Sequence, residues 1–368
     1  MPLAAPRRFL LPVFGALLAA CAVLTATPAS AYPGAPWFQP SKTYTSNFPD
    51  PSVLRVGNGF VAYGTSTGGA YLPAMTSTDL RTWTARPAYD PGRPLNSDPY
   101  FNDALPYPAS WGADRATDNR MKKEVWAPGV AKIGSTFVAF YTVRTRITPA
   151  RFCISVATSG SALGPFTDRT TGPLVCGTDP AGAIDPAPFV DPATGRAWLT
   201  WKTEGVPGRA PSRLWSRQLN PAGTGFAAGS TNHALLATAL SWEGNLIENP
   251  SMIRWNGALW LFYSANEWRS GNYATGYAKC SSPAGPCKRA TLTPFMRRTS
   301  TQLGQGAASA FLGLDGRLRL AYQYWNAPYT DYPAYPDCLR TSCTNKGQRR
   351  MAIATLGIAS DGHLKRIS

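Results

Sequence analysis

The sequence predicts an all-β chain folded as a five-bladed β-propeller. Three observations carry this prediction: five segments that share one plan, a spacing that leaves each room for two more strands, and a composition hostile to long helices. The chain has 368 residues, with 34 Gly and 34 Pro, and both residue types break helices. Hydrophobic residues make up 44 % and aromatics 12 %, too apolar for a disordered chain.

The five segments are residues 51–63 (PSVLRVGNGFVAY), 128–141 (PGVAKIGSTFVAFY), 186–201 (PAPFVDPATGRAWLTW), 250–263 (PSMIRWNGALWLFY) and 308–322 (ASAFLGLDGRLRLAY). Each starts at Pro or a small residue, turns at Gly, and ends in an alternating apolar run closed by aromatics. That pattern reads as a hairpin of two short strands. The starts lie 77, 58, 64 and 58 residues apart. Further strands follow in order: residues 74–83 after the first hairpin, 154–159 then 164–166 after the second, 214–219 after the third, 274–278 then 281–286 after the fourth, and 352–356 to close the last. Four strands in each of five radial units is a propeller. An all-β sandwich or barrel is the competing architecture, and a plan repeated five times favours the propeller. No helical period is sustained and no linker splits the chain, so residues 32–368 are expected to form a single domain.

Residues 1–31 read as an export signal. Arg7 and Arg8 precede an apolar run from Phe9 to Leu24, and Ala29-Ser30-Ala31 supplies an A-x-A cleavage site. The run is short for a membrane anchor and no other stretch could span a bilayer. Lipidation at Cys21, after Leu18-Ala19-Ala20, is the minor alternative to a fully secreted protein. Beyond the signal lie Cys153, Cys176, Cys280, Cys287, Cys338 and Cys343. An even set in an exported chain reads as disulfides. Nearest-neighbour pairing gives 153–176, 280–287 and 338–343, although sequence alone allows every other connectivity. No CxxC occurs, and His233 and His363 lie near no cysteine, which argues against zinc. Both histidines are expected at the surface, His233 in a polar loop. The formal charge is +16. The cations are scattered rather than blocked, so no nucleic-acid partner is expected.

The first strand of a propeller blade lines the central channel. Residues just before each segment should therefore converge at one mouth. They are Asp50, Trp126-Ala127, Asp185, Glu248-Asn249 and the stretch from Gly304 through Gln305 to Ala307. Three of these five places carry a carboxylate, in a chain with only 20 acids. A charged group at the start of an apolar inner strand is costly unless it is used or paired. Asp-Pro alone is ordinary turn chemistry; the joint pattern points to a site. Two opposed carboxylates suit glycosidic hydrolysis, and a third can tune the acid by like-charge repulsion.

NFPDPSV (47–53), VWAP (125–128), AIDP (183–186) and IENPSM (247–252), in that order, resemble glycoside hydrolase family 43, as do TDLRTW (78–83) and GPF (164–166). The family comprises five-bladed propeller arabinofuranosidases, xylosidases and arabinanases. The resemblance implies an inverting O-glycosyl hydrolase, with Asp50 as general base, Glu248 as general acid and Asp185 tuning and orienting Glu248. It implies a polysaccharide or oligosaccharide substrate with arabinofuranosyl or xylosyl linkages; the chain is expected to be a monomer. Trp126, Asn249, Gln305 and Gln323 are the expected substrate-binding residues. Many members carry a glycine-flanked histidine near the axis, often tied to a metal. Here Ala307 takes its place, and Gln323 takes that of a second frequent histidine. No cofactor is therefore expected, with Gln305 or Gln323 taking the place of a central calcium by hydrogen bonds; a bound central calcium is the alternative. The aromatic loop 325–335 could form a rim for a polymer. Two rival readings are a retaining fructan-type hydrolase, whose Arg-Asp-Pro and Glu-Cys signatures are absent, and a carbohydrate-binding propeller without activity.

Overall fold

The computed structural model of the chain describes residues 40–41, 47–67, 70–85, 103–114, 123–146, 150–177, 182–206, 209–332 and 347–368, with the body of the fold in Trp37–Ser368. It contains five antiparallel sheets in which, β1 apart, each strand is bonded to its neighbour in sequence. Blade I holds β1 (Pro40–Ser41), β2 (Ser52–Val56), β3 (Gly59–Tyr63), β4 (Ala74–Ser77) and β5 (Trp83–Ala85), with β1 outside β5. Blade II holds β6 (Val125–Ile133), β7 (Thr136–Arg144), β8 (Phe152–Ser159) and β9 (Thr167–Asp168). Blade III holds β10 (Ala183–Val190), β11 (Ala197–Thr203), β12 (Arg213–Gln218) and β13 (His233–Ala237). Blade IV holds β14 (Ile247–Trp255), β15 (Ala258–Ala265), β16 (Ala274–Cys280) and β17 (Cys287–Arg289). Blade V holds β18 (Gln302–Leu312), β19 (Leu318–Asn326), β20 (Arg349–Ile358) and β21 (Leu364–Arg366).

The five segments are the inner hairpins. In blade IV, Asn256 and Gly257 both take left-handed φ, 49° and 74°, between paired Trp255 and Ala258. Only residues that tolerate positive φ close a two-residue hairpin in this way. The aromatics that close the five segments, Tyr63, Tyr141, Trp201, Tyr263 and Tyr322, lie on the second strands and are all buried. They anchor cores that lie between blades. Val61 and Tyr63 pack with Val130 and Tyr141, Phe140 with Leu199 and Trp201, Leu214 with Leu261 and Tyr263, and Phe262 with Leu320 and Tyr322. The ring closes where Val53 and Phe60 of blade I meet Phe311 and Ala321 of blade V. Adjacent blades are thus joined by hydrophobic burial all the way round.

Two readings of the outer strands change. Residues 164–166 and 281–286 form turns, and the fourth strands follow them as β9 and β17. Pro165 and Pro286 have no N–H for a ladder, which keeps them out of a paired strand. His233 opens β13 rather than lying in a polar loop; it is half-buried, 6.2 Å from Trp198. His363 is exposed and within 3.2 Å of the Tyr277 hydroxyl. Disulfides join Cys153 to Cys176 and Cys280 to Cys287; Cys338 and Cys343 lie outside the described residues. Among the described residues no helix is long and apolar enough to cross a membrane.

Candidate active site

One backbone device builds the site five times. Asp50, Ala127, Asp185, Asn249 and Ala307 have φ of 51°, 38°, 56°, 50° and 48°, one per blade, each just before an inner-strand segment. Left-handed φ is uncommon outside glycine and marks a position held by its surroundings. The pairing register slips there in blades II to V, between Trp126 and Gly129, Ile184 and Ala187, Glu248 and Ser251, and Gly306 and Ser309. A bulge of this kind re-aims side chains at the strand's entrance. All five residues line one axial channel of ≈ 360 Å³. Below them come Pro51, Pro128, Pro186, Pro250 and Ala308, then the small residues Ser52, Gly129, Ala187, Ser251 and Ser309.

This register corrects the expected equivalence of the three acids. Asp50 and Asp185 occupy the same left-handed position, but Glu248 stands one residue earlier. In blade IV the bulge position belongs to Asn249, and Glu248 matches Trp126 of blade II, which enters its bulge in the same way.

Asp50 is held from three sides. Thr65 Oγ1 donates to its Oδ2 at 2.6 Å, and the Arg349 guanidinium lies 3.3 Å from both carboxylate oxygens. Its own N–H donates to Gln323 Oε1 at 2.8 Å, an oxygen that also accepts from Arg349 at 3.2 Å. Arg349 is fixed in turn: Nε donates to the Tyr332 hydroxyl at 2.7 Å, and the guanidinium stacks 4.4 Å over Trp268. Burial alone would lower the pKa of Arg349, but Tyr332 and Asp50 outweigh it and hold it above the ordinary range.

Glu248 and Asp185 form the second centre, and both are buried. Lys202 Nζ donates to Glu248 Oε2 at 2.8 Å and reaches Glu204 at 2.8 Å; Tyr273 donates its hydroxyl to Glu248 Oε1 at 2.6 Å. Asp185 accepts the backbone N–H of Asn249 at 3.0 Å, so it fixes the bulge that carries Glu248. Asn249 Nδ2 donates to the Tyr273 hydroxyl at 3.1 Å. Burial pushes Asp185 well above the usual carboxylate range, and the charges of Glu248 and Asp50 add to this against Lys202. Burial would pull the Lys202 ammonium down, but Glu248, Glu204 and Asp185 together hold it above the ordinary lysine range.

Trp126 is half-buried and stacks on Phe152, with ring centroids 3.8 Å apart. Gln323 is buried, and its Oε1 accepts from the Asp50 N–H and from Arg349. Gln305 is buried as well. Its carbonyl accepts from Thr275, and its Nε2 has no hydrogen-bond partner among the described residues. Loop residues 333–335 lie outside the described residues, whereas Tyr332 and Trp325 contribute to the cluster around Trp268.

The sequence reading missed Thr65, Lys202, Tyr273 and Arg349. Three of the site's supports, Thr65, Lys202 and Gln323, follow the closing aromatic of a second strand at one or two residues' distance. The same repeat that located the acids therefore marks these positions too. Tyr273 and Arg349 carry no such signal, since they come from an irregular loop and an outer strand. The axis does not fit a central metal. Ala307 offers no ligand atom, Asp50 is taken up by Thr65 and Arg349, and among the described residues no three His, Cys, Asp or Glu side chains are grouped to hold an ion.

A five-bladed propeller with carboxylates gathered at one end of its axis defines a class of carbohydrate-active architecture. Residues 43–362 match Glycosyl hydrolases family 43, and the chain belongs to that family. An extracellular endo-α-(1→5)-L-arabinanase of Thermotoga petrophila is 25 % identical over 170 residues, 41 % of this chain and 33 % of the relative. The chain thus aligns with about a third of that curated relative's length. An endo-1,4-β-xylanase structure from Bacteroides thetaiotaomicron superposes with TM-score 0.65 at 22 % identity, covering 90 % of this chain and 97 % of the other. An exo-1,5-α-L-arabinanase from a bovine ruminal metagenomic library gives 0.60 at 19 % identity, covering 88 % and 97 %.

Proposed function

We propose that the protein is a secreted glycoside hydrolase that cleaves arabinofuranosyl or xylosyl linkages of cell-wall polysaccharides with inversion. The observation that carries this reading is the separate support of two carboxylates from blades I and IV at one channel head. Asp50 is served by Arg349 and Thr65, and Glu248 by Lys202 and Tyr273, with Asp185 buried beside Glu248. Family membership supports a glycoside hydrolase, and the ordered motifs around Asp50, Asp185 and Glu248 support these roles.

A water molecule attacks the anomeric carbon while Asp50 removes its proton. The bond from that carbon to the leaving oxygen breaks, and Glu248 gives that oxygen its proton. Asp50 ends protonated and Glu248 ionised; exchange with solvent restores both. Each proton transfer is worth about 10²–10⁴ in rate. Inversion needs room for the water between the carboxylates. Asp185 acts through Glu248: by accepting the N–H of Asn249 it fixes the bulge that carries Glu248. Trp126 and Phe152 offer an aromatic wall on which a sugar face stacks.

The test is product release from arabinan, arabinoxylan, arabinogalactan and xylan, comparing wild type with Glu248→Ala, and proton NMR of the first anomer formed. Release by the wild type alone, with the inverted anomer first, supports the reading. Polymer binding without release, or a retained anomer, overturns it.

A further inference from the structure

The inner strands begin at the acids and run away from them, so their far ends form the opposite face. That face is strongly basic. Arg55, Lys132 and Arg254 stand at the channel's far mouth. Around them the exposed Arg196 and Arg317 sit in the inner turns, Lys279 and Lys288 on the outer strands of blade IV, and Lys365 and Arg366 on β21. The acids there are engaged locally. Asp191 pairs with Arg254, Asp315 with Arg319, and Asp79 and Asp361 accept backbone N–H groups of their own turns. Arg55, Lys132, Arg196, Lys279 and Lys288 enter no ion pair with the described residues. The catalytic end is mixed instead, with Asp114, Glu124, Glu204, Glu267 and Asp331 among its cations.

We propose that this far face binds a uronate-bearing polysaccharide and so holds the catalytic mouth free above an acidic matrix. Cations spread over an exposed face attract a chain of carboxylates at long range, within about a 10 Å Debye length at 0.1 M salt. Trp255, the last residue of β14, selects a sugar chain over a bare polyanion. It is half-exposed at the end of β14, packs on the core shared by blades IV and V, and its Nε1 is anchored on the Gly316 carbonyl at 3.1 Å, beside Arg317 in sequence. An aromatic face offers sugar rings an apolar stacking surface that an acidic peptide does not use. The surface lies away from the acids, so the inference does not depend on the hydrolytic reading.

Retention of the full chain on polygalacturonate, measured by affinity electrophoresis over graded salt, tests this. The wild type is expected to be retarded at low salt and released as salt rises. The triple variant Arg55→Gln/Lys132→Gln/Arg196→Gln is expected to bind roughly tenfold more weakly. Arg209→Gln/Arg297→Gln/Arg298→Gln, of equal net charge but altered at the catalytic end, is expected to bind as the wild type does. Trp255→Ala is expected to weaken binding to polygalacturonate but not to poly-glutamate. Hydrolysis of a small chromogenic arabinofuranoside, where the wild type shows it, should stay unchanged in all variants. Equal loss in both triple variants, no retention of the wild type, or equal effects of Trp255→Ala on both polymers overturns the proposal.

Discussion

Asp185 and Lys202 share one buried space with Glu248, and folding raises the pKa of both, so each contributes stability that falls as pH rises. The pKa of Asp185 is raised by folding, so the native chain keeps a proton that the unfolded chain releases near pH 4. Stability from this group is therefore full at low pH and is lost as pH rises from about 4 through its folded value. In Asp185→Asn that loss should vanish, so the melting temperature of the variant should gain on the wild type across this range. A parallel pH dependence in the two proteins would contradict it. Lys202 is the buried cation of the centre, and removing it leaves Glu248 and Glu204 uncompensated. Lys202→Met is expected to cost about 3–5 kcal/mol in urea unfolding, the usual penalty for breaking a buried pair. Tyr273→Phe removes one hydrogen bond to a charged group, worth about 1.5–3 kcal/mol. Its hydrolysis should fall roughly ten- to a hundredfold in kcat with little change in KM, because the hydroxyl holds Glu248 and not the sugar. At this scale the carboxylates were legible because an acid is conspicuous at the head of an apolar strand. Lys202 was not, because one lysine after Trp201 looks like any residue leaving a strand. Tyr273 was hidden for a different reason: a tyrosine in an irregular loop has no positional expectation.

The inner strand is the element that converts repetition into chemistry. Its segment starts were readable to the residue, and the bulge positions recur with the same spacing as the starts. The bulge itself was not readable, since nothing in Asp-Pro or Asn-Pro separates a left-handed entry from an ordinary turn. That is why Glu248 was aligned with Asp50 when it stands one residue before the equivalent place. The inner strands also pack closely. A Cβ on Gly129 would lie 2.3 Å from the Pro186 carbonyl oxygen and 2.5 Å from Pro188 Cδ. Gly129→Ala should therefore force β6 and β10 apart. Overpacking of this kind costs about 1–3 kcal/mol, and activity should fall with it because Asp185 heads β10. Gly160→Ala meets nothing within 4 Å and should stay within about 0.5 kcal/mol of wild type, measured in the same urea series. The outermost strands were the least legible elements. They are short, and the Gly-Pro turns ahead of β9 and β17 resemble strand ends in composition.

At the scale of the molecule, stability is circular. Each core belongs to two blades, so no blade buries its own faces alone. The seam between blades V and I is closed by side chains, with Phe60 and Phe311 meeting edge-on at 5.6 Å. It is also tied by the Phe48 N–H to the Arg349 carbonyl and by the Val53 N–H to Ser309 Oγ. Phe311→Ala should cost about 3–5 kcal/mol, as a large buried aromatic does. Because Asp50 and its supports Gln323 and Arg349 come from the two sides of this seam, catalysis should fail at lower urea than the loss of far-ultraviolet signal. Coincident transitions in the variant would show that the seam does not open separately. The five left-handed entries also mean that the molecule carries interchangeable sockets. Two of them hold alanine, Ala127 and Ala307, the smallest side chains the geometry accepts apart from glycine. A change at either one to Asn or Asp, which tolerate a left-handed φ, would bring a polar group to the channel head. The ring can thus vary its chemistry one blade at a time while the architecture that carries it stays constant.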